Sequence, residues 1–257
     1  EAAYFDINER KLLNLAKAGK EAGIELFVMD DGWFGTRNDD KQSLGDWYVN
    51  KKKLPSGIKG IAEKVEALGL KFGIWVEPEM VNEDSDLYRA HPDYVIGAPG
   101  RFECHARHQH VLDFSRKEVV DNIYEQVSKI LRESKISYIK WDMNRYMSEP
   151  FTRTGSAADQ GKMMHKYILG VYDLYNRLTT EFPHILFESC ASGGARFDPA
   201  MLYFAPQAWT SDDTDANERL KIQYGTSFVY PLVSMGSHVS AVPNHQLNRI
   251  TPIDTRA

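Results

Sequence analysis

The sequence is poor in several things that would each point to a function. Among its 257 residues there are only two cysteines, Cys104 and Cys190. Two cysteines cannot form a disulfide framework or a thiolate metal centre, and so low a count suits a reducing, cytoplasmic setting. No run of about 18 apolar residues occurs, so no membrane-spanning helix is expected, and no signal-peptide pattern opens the chain at Glu1. Strong positive charge is missing too. The formal net charge is -5 and the one basic run is Lys51-Lys52-Lys53, which argues against a nucleic-acid partner. No glycine-rich phosphate loop follows the first apolar run. The eight histidines show no H-x-x-x-H spacing. Their one cluster, His105-x-x-His108-x-His110, reads as part of a long loop rather than a metal site, and no cofactor is expected.

The remaining composition is that of a folded enzyme-sized domain, with 42% hydrophobic and 26% charged residues. Apolar periodicity alternates between helical and strand rhythms along the chain. A capping box from Asp6 to Glu9 opens a first helix that ends at Gly23, and a short apolar run over 24–29 follows. Helical 58–68 leads to a strand at 70–76, helical 116–134 to 138–141, and helical 159–181 to 184–187. A short segment at 201–203 leads to 207–209, helical 216–225 follows, and 230–233 reads as a last strand. Strands separated by helices imply parallel pairing. Polar residues follow nearly every strand, which favours a (β/α)8 TIM barrel over an open sheet with a single switch point. The pattern starts on a helix and ends in a loop-like stretch, so the first and last strands of that barrel are expected to be missing. Residues 1–257 then form one catalytic domain, read as part of a longer multidomain enzyme.

The chemistry-bearing residues lie at the strand ends: MDDGW at 29–33, WVEPE at 75–79, KWDMNR at 140–145, ESCASGG at 188–194 and WTSDDTD at 209–215. Carboxylates beside indole rings suit a sugar, whose C–H faces pack on the rings while its hydroxyls bond the acids. One such Asp or Asn is as easily a turn former or a helix N-cap. Five successive strand ends are harder to dismiss. Strand alternation puts Lys140 and Asp142 on one face, where the ammonium holds the carboxylate ionised, as a nucleophile requires. In Asp212-Asp213, two adjacent acids disfavour joint ionisation and keep one protonated, while Asp215 precedes a helix and reads as its N-cap. Glu77 and Glu79, in phase around Pro78, read as a metal site or a structural support.

The motifs MDDGWFG, GDW, WVEPEMV, KWDMNR, ESCASGG, RFD and WTSDDTD together resemble the α-galactosidases of glycoside hydrolase family 36, over almost the whole chain. The resemblance implies a retaining α-galactosidase acting on terminal α-linked galactose of melibiose or raffinose-type oligosaccharides. Asp142 matches the family's nucleophile and Asp212 its acid/base. Asp30, Asp31, Trp75, Arg107, Lys140, Asn144, Cys190 and Gly193 match positions lining the galactose subsite. The family also implies a homo-oligomer, often a tetramer, with a large β-sandwich domain before the barrel and a smaller β domain after it. Rival readings within the fold are an α-N-acetylgalactosaminidase and a raffinose-synthase-type galactosyltransferase. Beyond it stand a metal-dependent barrel enzyme and a non-catalytic sugar-binding protein.

Overall fold

A computed structural model describes residues 3–102, 104 and 106–257. The chain divides into two compact units, Glu1–Leu186 and Phe187–Ala257.

The first unit begins with helix α1 (Glu9–Glu21) and strand β1 (Leu26–Met29). The expected capping box is not formed. Asn8 is the N-cap, its side chain accepting the Lys11 N–H at 3.0 Å, while Asp6 pairs with the Lys11 ammonium. Glu9 is the first helical residue rather than the third, so its carboxylate reaches away to Ser56 and Lys64. Helix α2 (Gly57–Glu66) buries Ile58, Ile61, Ala62 and Val65, an i, i+3, i+4, i+7 stripe. Strand β2 (Lys71–Val76) follows. Next come features that the apolar pattern does not announce: strand β3 (Met80–Val81), helix α3 (Asp86–Ala90) and strand β4 (His110–Val111), with β3 and β4 paired antiparallel. Two-residue strands are too short for any period to register.

Helix α4 (Lys117–Glu133) and strand β5 (Tyr138–Trp141) lie where the periodicity puts them. The single helix expected over 159–181 is instead two, α5 (Ala157–Gln160) and α6 (Met163–Glu181). Gly161 and Lys162 separate them, and a Ser156–Asp159 capping box opens the short first piece. Helix α6 passes so close to Phe114 that a Cβ on Gly170 would lie 1.9 Å from its carbonyl oxygen, so only glycine fits there.

Strands β1, β2 and β5 run parallel, and their register decides what meets at their carboxyl ends. Met29 pairs with Ile74 and Ile74 with Ile139. One residue further on, Trp75 pairs with Lys140, and Asp30 leaves β1 on the same row.

The second unit opens inside strand β6 (Leu186–Ser189), two residues later than the expected 184–187, because Phe182 to Ile185 closes as a turn. Helix α7 (Pro199–Phe204), capped by Asp198, precedes strand β7 (Gln207–Ala208), which pairs with β6 in parallel. Helix α8 (Ala216–Ser227) is capped by Asp215 through the N–H groups of Asn217 and Glu218, as read from the sequence. The strand expected at 230–233 does not form. Pro231 offers no N–H to a ladder, and its φ of -66° starts a 3₁₀ turn, Leu232–Ser234. Helix α9 (Ile253–Arg256) ends the chain. The architecture is therefore α/β with parallel principal strands. Among the described residues no helix is long and apolar enough to cross a membrane.

Candidate active site

In the first unit the carboxyl ends of β1, β2 and β5 gather acids around a tryptophan. Asp142 follows directly on β5, is 7% exposed, and its backbone N–H bonds Val76 O at 2.8 Å. Its carboxylate is gripped by three N–H donors. The Trp75 indole Nε1 donates to Oδ2 at 3.1 Å and the Asn144 amide Nδ2 to the same oxygen at 2.8 Å, while the Met143 N–H donates to Oδ1 at 2.8 Å. Trp75 is itself fixed. Its carbonyl accepts Trp33 Nε1 at 2.9 Å, and its ring stacks at 6.2 Å on Phe34, within a cluster that includes Trp47. Such aromatic contacts contribute about 0.5–1.5 kcal/mol each beyond area burial.

Lys140 is tied to the first strand's end. The Lys140 ammonium lies 3.1 Å from Oδ2 of Asp30, across the intervening β2. Asp30 also accepts the Asp31 N–H at 2.9 Å. Asp31 turns the other way, into a bidentate pair with the buried Arg37, at 2.8 and 2.7 Å. Burial pushes the Asp31 carboxyl above its ordinary range, and the Arg37 guanidinium opposes that. Arg37 has no motif that marks it. It is found only once the fold brings it back, and it is held further by Gln42 O and Asn82 Oδ1.

Glu77 and Glu79 are supports. Glu79 accepts Trp141 Nε1 at 2.9 Å and the Tyr167 hydroxyl at 2.5 Å. Glu77, 1% exposed, accepts the Asn144 backbone N–H and lies 3.2 Å from Gln109 Nε2. Burial, and secondarily the nearby Asp142 charge, drive its carboxyl well above the usual range, with Arg107 opposing. Arg107 itself is exposed, in a 3₁₀ turn (Ala106–His108) where it adopts φ 54°. Of the histidine cluster, His105 lies outside the described residues, and His110 contacts Glu83 at 3.1 Å. Among the described residues no group of three His, Cys, Asp or Glu side chains is arranged to hold a metal.

The second unit carries the remaining candidates. Asp212 is exposed, and its Oδ1 accepts Trp209 Nε1 at 3.0 Å. Its neighbour Asp213 is turned inward, with Oδ1 taking the Asp215 N–H at 3.0 Å, so the adjacent acids have separate partners. Gln246 clamps the segment from outside, donating to Asp212 O at 2.8 Å and accepting the Thr214 N–H at 2.9 Å. Arg219, on α8, clamps it from within. Its guanidinium donates to Ser211 O and Thr210 Oγ1, both at 2.9 Å, and lies 5.0 Å from the Trp209 ring centre. Neither Gln246 nor Arg219 belongs to a recognisable motif. Cys190 is buried, just beyond β6. Gly193, at φ 83°, packs so tightly on the acid segment that a Cβ would lie 2.7 Å from both Asp212 N and Ser211 Cα.

The sequence profile of the Melibiase family matches residues 1–257. The chain belongs to that family. It is 56% identical over 256 residues to the α-galactosidase AgaA of Geobacillus stearothermophilus and 56% identical to the α-galactosidase Mel36A of Lactobacillus acidophilus, covering all of this chain in both cases. It spans only 35% of the length of either relative. The AgaA crystal structure superposes with a TM-score of 0.97 over 99% of this melibiase-family chain. An AgaA variant solved with raffinose gives the same TM-score, 0.97. A Thermus thermophilus α-galactosidase, at 23% identity and a TM-score of 0.67, shares the fold.

Proposed function

We propose that this chain is the larger part of the catalytic (β/α)8 barrel of a retaining α-galactosidase, acting on galactose-terminated oligosaccharides such as melibiose, raffinose and stachyose. The observation that carries the reading is the holding of Asp142. A carboxylate at a strand's carboxyl end, nearly buried and fixed by three N–H donors, is a pre-oriented nucleophile. Variants of one relative, AgaA, have been crystallised with raffinose and with stachyose, which supports the substrate class.

In this mechanism a carboxylate oxygen of Asp142 attacks the anomeric carbon as the glycosidic C–O bond breaks. Asp212 gives its proton to the leaving oxygen. Asp212 then takes a proton from water, whose oxygen attacks the anomeric carbon of the galactosyl ester. Asp142 is released and the galactose keeps its α configuration. Such a double displacement uses carboxyls about 5–5.5 Å apart. Asp30, Asp31, Trp75, Arg107, Lys140, Asn144, Cys190 and Gly193 would line the galactose subsite. Asp30 with Lys140 offers an acceptor beside a donor, a match for a hydroxyl that both gives and receives a hydrogen bond.

The test is hydrolysis of p-nitrophenyl α-galactoside by the full-length gene product, with the first-formed anomer read by NMR. The expected result is α-galactose released first, and a loss of about 10⁴-fold or more in turnover for Asp142→Ala. Release of β-galactose would remove the retaining mechanism. Turnover of the N-acetylgalactosaminide alone, or transfer to a sugar acceptor with no hydrolysis, would replace the α-galactosidase reading.

A further inference from the structure

Glu77 takes no part in the mechanism above, yet it is fully buried beside Asp142. It directly follows Val76, whose carbonyl accepts the Asp142 backbone N–H. The two oxygens of Glu77 are divided between two elements. Oε1 accepts the backbone N–H of Asn144, and Oε2 lies against Gln109 Nε2, just ahead of β4. Asn144 lies beyond the last residue of β5, and its side chain runs back to Oδ2 of Asp142 at 2.8 Å. A chain of contacts therefore leads from Gln109 through Glu77 to the Asn144 backbone, and from the Asn144 amide to the nucleophile.

The charges around Glu77 suit an uncharged acid. The charges of Asp142 and Asp31 push its carboxyl up, and Arg107, exposed in its turn, opposes them. Among the described residues no ammonium or guanidinium forms an ion pair with it. A second negative charge buried next to Asp142 would be repelled, with no direct ion pair to offset it.

We propose that Glu77 is a positioning residue, which as a neutral acid fixes the Asn144 backbone and through the Asn144 amide sets the orientation of the Asp142 carboxylate. Its carbonyl oxygen is enough to take the Asn144 N–H, so an amide in the same place does the same work. This rests on Asp142 being the nucleophile.

The test compares wild type, Glu77→Gln, Glu77→Ala, Asn144→Ala and the Glu77→Ala/Asn144→Ala double variant in the full-length gene product. The readouts are kcat and KM on p-nitrophenyl α-galactoside from pH 5 to 8, with crystal structures of wild type and both Glu77 variants. A nucleophile displaced by about 1 Å can cost about 100-fold in rate, so Glu77→Ala is expected to lower kcat about 10- to 100-fold and to move KM less than about threefold. Glu77→Gln is expected to stay within about threefold of wild type with an unchanged pH profile. The double variant is expected to be no slower than Asn144→Ala by more than about threefold, because both act through one contact. A Glu77→Gln variant as slow as Glu77→Ala overturns the neutral-acid role. Losses that multiply in the double variant overturn the route through Asn144. If Glu77→Ala does not fold, Glu77→Gln still decides the first point, and its crystal structure decides the second: Asn144 Nδ2 should still bond Asp142 Oδ2. If wild type shows no turnover, the α-galactosidase reading falls, while displacement of that amide in the Glu77→Ala crystal structure, or its absence, still decides the positioning role.

Discussion

The indole of Trp75 donates to Oδ2 of Asp142 at 3.1 Å, and the same oxygen takes the Asn144 amide at 2.8 Å. One oxygen of the proposed nucleophile is thus held by two side chains from different strand ends, β2 and β5, while the other is held by the backbone of Met143. Such an arrangement fixes both the rotamer and the ring of lone pairs left free for attack.

Trp75→Phe removes one of those donors and keeps most of the ring. A hydrogen bond to a charged group contributes about 1.5–3 kcal/mol, so kcat/KM is expected to fall about 10- to 100-fold. Steady-state kinetics on p-nitrophenyl α-galactoside measure it. Unchanged kcat/KM would show that Asn144 and Met143 orient Asp142 without the indole.

Gly193→Ala tests the seat of Asp212. The added Cβ would meet Asp212 N and Ser211 Cα at 2.7 Å, at a backbone φ of 83° that other residues rarely adopt. Strain of this kind costs of order 1–3 kcal/mol, and the displaced Asp212 should slow turnover as well. Gly161→Ala is the control, since a Cβ there meets nothing within 4 Å. Thermal melts of the two variants should differ by several degrees. Equal melts would mean that the acid segment yields freely.

How far the sequence alone reaches can be judged from these residues. Strand β5 and helix α4 lie where the periodicity put them, because each is long or apolar enough to fix its own type. Positions 230–233 read as a strand from composition, yet Pro231 turned them. The acids at the strand ends were visible as motifs. Their partners were not: Arg37 for Asp31, Lys140 for Asp30 and Arg219 for the acid segment depend on register and long-range closure. Strand alternation gives the face that Lys140 and Asp142 share, and says nothing about the ammonium's reach across β2 to Asp30.

Glu77 makes stability depend on pH in a direction opposite to a salt-bridged acid. Its folded carboxyl titrates well above the ordinary value of 4.5, so above that value the unfolded chain releases a proton that the folded chain keeps. The contribution is full below about pH 4.5 and is lost as pH rises toward the folded value. Glu77→Gln has no such loss. The melting temperature of Glu77→Gln relative to wild type should therefore rise between pH 4 and pH 8. A difference that stays flat across that range would show that Glu77 ionises normally in the folded protein.

Trp141 lies between Lys140 and Asp142 in sequence and faces away from both. Its ring stacks on Tyr175 of α6 at 3.9 Å, and its Nε1 is tied to Glu79, which also receives the Tyr167 hydroxyl of the same helix. The strand that presents the proposed nucleophile is therefore pinned from behind by a chromophore. Loosening of α6 would expose that indole to water, so in a variant whose other four tryptophans are replaced by phenylalanine the emission wavelength would carry an unlabelled optical signal of the packing behind Asp142.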